Sequence, residues 1–335
     1  METKIITQTE VPALLPMDEC VEAMATALKT LSRGDAVLPL RSLVWLPYKS
    51  GLLGLMPAYL GSPRGMGLKV VSVMPGNHGT EYDSHQGAVL LFEIEHGSLL
   101  AIIDASSITA IRTAAVSGVA TRLLAREDAS DLAILGSGVQ AESHLEAMKT
   151  VRKLKRVRVW SKTAENARVF AEGMSRRHGL KVEASASAHQ AIEGADLICT
   201  TTSAREPVLS GEWLTPGVHI NAVGACFRDT RELDTAAVKR SRLYVDRRES
   251  VLNEAGEFII PHGRGELSED HIVGELGEAL LGKIPGRRSR DEITLFKSLG
   301  IAIEDLAAAH HIYRNAVASG SGTTIEFGGR RLAVS

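Results

Sequence analysis

Residues 131–141 read Asp-Leu-Ala-Ile-Leu-Gly-Ser-Gly-Val-Gln-Ala. The apolar run 132–135 leads without a break into Gly136-Ser137-Gly138-Val139-Gln140-Ala141, and helix-type residues (Glu142, Leu145, Met148) follow. This order predicts a short buried strand, a G-x-G-x-x-A turn and a helix. Gly136 permits the tight turn, Gly138 lets the backbone approach a pyrophosphate, and Ala141 is small enough for the helix to pack on the strand. The start of such a helix offers free N–H groups and the positive end of a dipole to phosphate groups. A glycine-rich strand-to-helix turn with no ligand is the competing reading. A second predicted strand, 156–160, favours the dinucleotide, because it ends about 25 residues after the first glycine, where a ribose-reading residue belongs.

That ribose position reads Trp160-Ser161-Lys162-Thr163, with no carboxylate before Glu165. An acidic residue would hydrogen-bond the 2′-hydroxyl of NAD. The hydroxyls of Ser161 and Thr163 and the charge of Lys162 suit a 2′-phosphate instead. The expected cofactor is therefore NADP(H), with NAD(H) as the alternative if this stretch is only a solvated loop.

Around this core the chain has 335 residues, long enough for two domains. Its formal net charge of −2 gives no nucleic-acid footprint. Cys20, Cys199 and Cys226 are the three cysteines, too few and too far apart for a disulfide framework, which points to the cytoplasm. No signal peptide, membrane span or metal-ligand spacing is evident, so no membrane or metal partner is expected. Helical spacing of Val21, Met24, Leu28 and Leu31 predicts a helix over 16–33. The stretch 37–103 alternates apolar runs with Gly, Pro, Asn and Asp, predicting an antiparallel sheet behind that leading helix. An Ala-rich helix follows over 108–125. Strands at 132–135, 156–160, 197–200, 219–222 and 243–245 then alternate with helices, the rhythm of a parallel, doubly wound sheet. A helix over 301–318 precedes a last strand, 323–327, that is expected to return to the first sheet. The segment 256–286 reads as an excursion over the sheet.

The chain resembles the ornithine cyclodeaminase/mu-crystallin family over nearly its whole length. The matching pieces are PLRS at 39–42, GLMPAY at 54–59, LKVV at 68–71, ITAIRTAAVS at 108–117, ILGSGVQAESHLEAM at 134–148, INAVGA at 220–225 and FKSLGIAIEDLAAA at 296–309. The resemblance implies an α/β fold with a Rossmann-type NAD(P)-binding domain, placed at 116–315. A discontinuous α+β domain, placed at 1–115 and 316–335, would bind substrate and pair in a homodimer. It also implies that Arg41, Lys69 and Arg112 bind the carboxylate of a small imino or amino acid. Arg pairs with carboxylates in bidentate fashion, and Lys adds a point charge or a titratable proton. A buried structural ion pair is the alternative for each; for Arg112, set among Ala110, Ile111, Ala114 and Ala115, an unpaired charge would be costly. By the same resemblance Thr113, Val139, Gln140, Thr201, Thr202, Asn221, Gly224 and Ser298 join Gly136, Gly138, Ser161, Lys162 and Thr163 around the cofactor. The resemblance also places Cys226, Asp229 and Leu299 in the substrate pocket.

Family members that deaminate and cyclise ornithine carry two carboxylates that are missing here: Gly54 and Cys226 stand in their places. A neutral thiol does not replace such a charge, although Asp229 lies three residues on. The stretches GACFRDTRELD and WSKTAENA resemble the mu-crystallin-like branch, which reduces cyclic ketimines with NADPH. The expectation is therefore reduction of Δ1-pyrroline-2-carboxylate and Δ1-piperideine-2-carboxylate to L-proline and L-pipecolate. A cyclodeaminase-type lyase, an alanine-type dehydrogenase and a non-catalytic binding protein are the alternatives.

Overall fold

The computed structural model describes residues 1–77, 79–329 and 331. Its chain divides into two units, Met1–Arg112 with Ile301–Ser335, and Thr113–Gly300.

The first unit is built on a mixed sheet. Its strands are β1 (Glu2–Ile6), β2 (Ala36–Val37), β3 (Ser42–Trp45), β4 (Leu52–Gly61), β5 (Arg64–Val73), β6 (His85–Phe92) and β7 (Leu99–Asp104), with a late strand, Thr323–Glu326. The order is Thr323–Glu326, β1, β7, β6, β5, β4, β2, and β3 also pairs with β4. The late strand does return to the first sheet, antiparallel to β1. The expected antiparallel sheet is altered in one respect. A strand comes before the leading helix, and that strand, β1, runs parallel to β7.

Period-two burial along β4 puts Leu52, Gly54, Met56, Ala58 and Leu60 on the inner face. Met56 lies opposite Lys69 of β5, and Lys69 lies opposite Val89 of β6, so Lys69 points to the inner face with them. The helices Met17–Ser32 and Ala302–Ser319 cover this face. The expected domain bounds place most of the second helix with the nucleotide-binding domain. It belongs to the first unit because its buried stripe (Ile303, Leu306, Ala309, Ile312, Ala316) packs on β4, β5 and β6 and on the Met17–Ser32 helix. The opposite face of the sheet carries Leu55, Pro57 and Tyr59 of β4, Leu68 and Val70 of β5 and Leu90 of β6, all partly or fully exposed.

The second unit has eight parallel strands: β8 (Asp131–Leu135), β9 (Arg156–Trp160), β10 (Val182–Ala184), β11 (Leu197–Thr200), β12 (His219–Ala222), β13 (Arg242–Val245), β14 (Ile272–Glu275) and β15 (Thr294–Lys297). Their order is β10-β9-β8-β11-β12-β15-β13-β14. The central strands β8, β11 and β12 are wholly or nearly wholly buried, as a parallel sheet with helices on both faces requires. The order reverses at β8, so the ligand crevice of such a sheet falls at the carboxyl ends of β8 and β11. The segment 256–286 departs from expectation. Far from passing over the sheet, it supplies the edge strand β14, whose Ile272 and Gly274 lie buried beside β13. Among the described residues no helix is long and apolar enough to cross a membrane.

Candidate active site

The glycine turn leaves β8 as its sequence requires. Gly136 has φ +124°, and a Cβ there would lie 2.6 Å from Thr201 Oγ1 and 2.7 Å from the Thr201 carbonyl oxygen. Only glycine permits both the conformation and the approach. Gly138 is the N-cap of the helix Val139–Val151, and a Cβ on it would meet nothing within 4 Å. Val139 beside it is 64% exposed. The helix start is thus sterically open, and this arrangement fits a dinucleotide phosphate. At the end of β9 the Ser137 hydroxyl donates to Ser161 at 3.0 Å, while Lys162 and Thr163 are exposed. Both carboxylate oxygens of Glu165, the first acid after β9, are engaged by Arg168.

The ends of β11 and β12 are tied together by a residue the sequence reading did not single out. The buried Glu232 carboxylate accepts from Thr200 Oγ1 (2.8 Å), Thr202 N (2.5 Å), Thr202 Oγ1 (2.7 Å) and Gly224 N (2.7 Å). Burial raises its pKa against the pull of Lys297 and of these donors. Lys297 donates to the Ala225 carbonyl at 2.6 Å and pairs with Glu257 at 3.3 Å. Asp246 likewise fixes the FKSLG turn, accepting from Leu299 N at 2.6 Å and Gly300 N at 2.8 Å. Ser298 is buried, and its Oγ has no hydrogen-bond partner among the described residues.

In the first unit, four ionised side chains meet in the interior. Lys69 Nζ donates to Asp305 Oδ1 at 3.1 Å and to Thr109 Oγ1 at 2.6 Å. Arg112 donates from Nε to the same Asp305 oxygen at 3.0 Å and from Nη1 to Glu304 at 2.7 Å. All four side chains are at most 4% exposed. The cations come from β5 and from the helix Ala105–Leu124; the carboxylates stand in the first turn of Ala302–Ser319, where the helix dipole favours negative charge. Burial pushes the Lys69 ammonium down to about 8, against the pull of Asp305 and with Arg112 and Arg41 adding repulsion. For Asp305 burial works the other way, but Arg112 and Lys69 hold its carboxyl below the usual range. Lys69 and Arg112 are therefore brought together and are also ion-paired, so the two readings of these residues coincide in one cluster. Arg41, half-buried in the segment before β3, acts on Lys69 through its charge.

A sequence profile of the ornithine cyclodeaminase/mu-crystallin family matches residues 1–320. The chain belongs to this family. Among its members, the ketimine reductase mu-crystallin of Mus musculus is 43% identical over 296 residues, covering 88% of this chain and 90% of the mouse protein. The Δ1-pyrroline-2-carboxylate reductase of Thermococcus litoralis, solved with NADH and L-proline, is 40% identical with a TM-score of 0.93, covering 96% of this chain and 99% of that one. An archaeal alanine dehydrogenase, solved as a dimer with bound NAD, is 34% identical with a TM-score of 0.91, covering 98% and 100%.

Several residues expected at the family's site stand elsewhere or do other work. Asp229 is on the surface, paired with exposed Arg205 at 3.0 Å. Cys226 is half-buried, and its thiol donates to the Val223 carbonyl at 3.5 Å. Asn221 is fully buried; its amide donates to Thr121 Oγ1 at 2.9 Å, which bonds β12 to the helix Ala105–Leu124. Thr113, on that same helix, is buried. Thr202 is committed to Glu232, whereas Thr201 stays against Gly136 at the sheet edge. The acids that organise both clusters, Glu232, Asp246, Glu304 and Asp305, were missed. For Glu304 and Asp305 a signal existed: two acids at the start of an otherwise apolar helix, within the quoted FKSLGIAIEDLAAA match.

Proposed function

We propose that this chain reduces cyclic ketimines, Δ1-pyrroline-2-carboxylate and Δ1-piperideine-2-carboxylate, to L-proline and L-pipecolate, with NADPH as the preferred cofactor. The observation that carries this reading is the Lys69–Arg112 pair, two cations buried together in a chain 40% identical to a reductase solved with NADH and L-proline. The first unit supplies the groups for the substrate. Arg112 and Arg41 hold its carboxylate, and Lys69 either shares that task or supplies a proton to the imine nitrogen through water. With its pKa near 8, the Lys69 ammonium is a far better proton donor at neutral pH than an exposed lysine. The second unit supplies the groups for the cofactor. Gly136, Gly138 and the N–H groups opening the Val139–Val151 helix would hold the pyrophosphate, with Thr201 beside them. Ser161, Lys162 and Thr163 would hold the 2′-phosphate, a reading supported by the engagement of Glu165 with Arg168. When bound, NADPH supplies the hydride that the imine carbon accepts.

The lyase alternative lacks its carboxylates. Gly54 lies on the inner face of β4, the face to which Lys69 points, two residues before Met56. Neither Gly54 nor the Cys226 thiol can anchor a substrate amine by charge. A reductase needs no such anchor, because a protonated cyclic imine already accepts hydride.

The apolar outer face of the first unit's sheet supports a homodimer, since a sheet stably buries such a face against another layer. The deciding assay follows NADPH oxidation with each imine and repeats it with NADH. Turnover that prefers NADPH is the expected result. Ornithine-dependent ammonia release with no imine reduction would replace this reading with the lyase, and alanine-dependent NAD reduction alone would replace it with the dehydrogenase.

A further inference from the structure

We propose that Asp305 is a positioning residue of this site: through one carboxylate oxygen it holds the Lys69 ammonium and the Arg112 guanidinium at a fixed separation, and its charge sets the pH range over which the pair stays doubly cationic. The proposal rests on the reading of Lys69 and Arg112 as substrate-binding groups.

The geometry is that of a bridge. Asp305 Oδ1 accepts from Lys69 Nζ at 3.1 Å and from Arg112 Nε at 3.0 Å, and the carboxylate is 1% exposed. Two cations converging on one oxygen would repel each other if that charge were absent, and with water excluded the repulsion is poorly screened. The other neighbours cannot take over this task. Glu304 is engaged by Arg112 through Nη1 at 2.7 Å. Thr109 accepts from Lys69 at 2.6 Å, but it is neutral. Arg41 and His85 face Lys69 as cationic or neutral groups, and Cys20 lies against Arg112 and Glu304 as a buried thiol raised well above its usual range by burial. Asp305 thus pairs directly with the Lys69 ammonium as well as with Arg112. Its second oxygen is buried and accepts no hydrogen bond among the described residues, so Oδ1 alone carries the load. Removing the charge while keeping the shape should release the Lys69 proton at lower pH, because burial would then act with nothing but a hydroxyl against it.

The test measures binding of pyrrole-2-carboxylate, a planar ring acid whose own charge is constant from about pH 6 to 10. Its dissociation constant is read by calorimetry across that range for the wild type, Asp305→Asn and Asp305→Glu. In the wild type, affinity should fall with a midpoint near 8 as Lys69 loses its proton. In Asp305→Asn the midpoint should drop by at least about one pH unit, with affinity at pH 6 reduced less than about fivefold. Asp305→Glu keeps the charge on a longer arm, so its midpoint should stay within about half a unit of the wild type while affinity falls about tenfold. A purely structural Asp305 would instead weaken binding by one factor at every pH and leave the midpoint in place, which overturns the proposal. If Asp305→Asn does not fold, Asp305→Ser takes its place: the same drop in midpoint is expected, and an unmoved midpoint overturns the proposal. The measurement needs neither cofactor nor turnover, so failure of imine reduction would refute the functional reading and leave this one standing. A wild type that reduces imines, with a midpoint that does not move in Asp305→Asn, would refute this inference only. A wild type that binds no ring carboxylate at any pH overturns both.

Discussion

The nucleotide edge of the second unit and the charged cluster of the first achieve order by opposite means. The edge is made of backbone: a glycine with positive φ, an open helix start and strand ends tied by one buried glutamate. Its turn and helix start, residues 136–141, are neighbours in the chain, although the strand ends beside them come from residues 200–232. The cluster is made of side chains from β5 and two helices, and Lys69 and Asp305 are 236 residues apart in sequence. It is buried and mutually dependent, so one missing partner leaves a buried charge uncompensated. The edge should therefore tolerate or reject substitutions by shape, position by position, while the cluster should fail as a unit.

The sharpest way to break this contrast is Lys69→Met. It leaves Asp305 with one cation, and should cost about 3–5 kcal/mol in stability and at least ~1000-fold in kcat/KM for imine reduction. Denaturant unfolding and steady-state rates check both numbers; a stable variant would mean the cluster is less interdependent than its contacts imply. Gly136→Ala comes next. Positive φ together with the contact on Thr201 should destabilise the chain by about 2–4 kcal/mol, read as a lowered denaturation midpoint. Titration provides a third probe. Lys69 is charged below pH 8 in the folded chain, so the reduction rate should fall about tenfold per unit of pH above that value. Stability should move the other way. Because the folded pKa lies below the unfolded one, the unfolded chain binds more protons between about pH 8 and 10.5, and this group's contribution to stability rises through that window. Gly138→Ala should change stability by less than about 1 kcal/mol, since its Cβ enters open space, yet weaken NADPH binding about tenfold, as measured by fluorescence titration. The mildest effect is expected for Lys162→Ala. Its exposed charge should be worth about five- to tenfold in NADPH affinity and nothing in NADH affinity. Equal losses for both cofactors would remove the basis for an NADPH preference.

The same contrast explains what could be read from the sequence. The strand-turn-helix at 131–141 was legible because its apolar run, its glycines and its helix are contiguous, and local rules suffice there. Strands β9, β11 and β12 fell where their apolar runs placed them. Lys69 and Arg112 were legible only through the family resemblance; nothing in their spacing says that they touch. Their carboxylate partners were hidden because acids in a helix's first turn have an ordinary local reason to be there. Glu232 was hidden by its surroundings, GACFRDTRELD, where it looks like one more surface charge among several. Asp229, in the same stretch, attracted attention and proved exposed. The strand β14 was missed because three of its four residues, Val273 to Glu275, include a glycine and an acid, which weaken any period-two signal.

The chain path of the first unit has a consequence for synthesis. Residues 113–300 form a unit that is continuous in the chain, so it can close as soon as it has left the ribosome. The first unit starts earlier and finishes later. Its sheet lacks the covering helix Ala302–Ser319 and the partner strand Thr323–Glu326 until the last part of the chain emerges. Throughout that interval Lys69 and Arg112 have no Glu304 or Asp305 to meet, so burying them early would leave two uncompensated charges in the interior, and the order of synthesis favours a first unit that closes last.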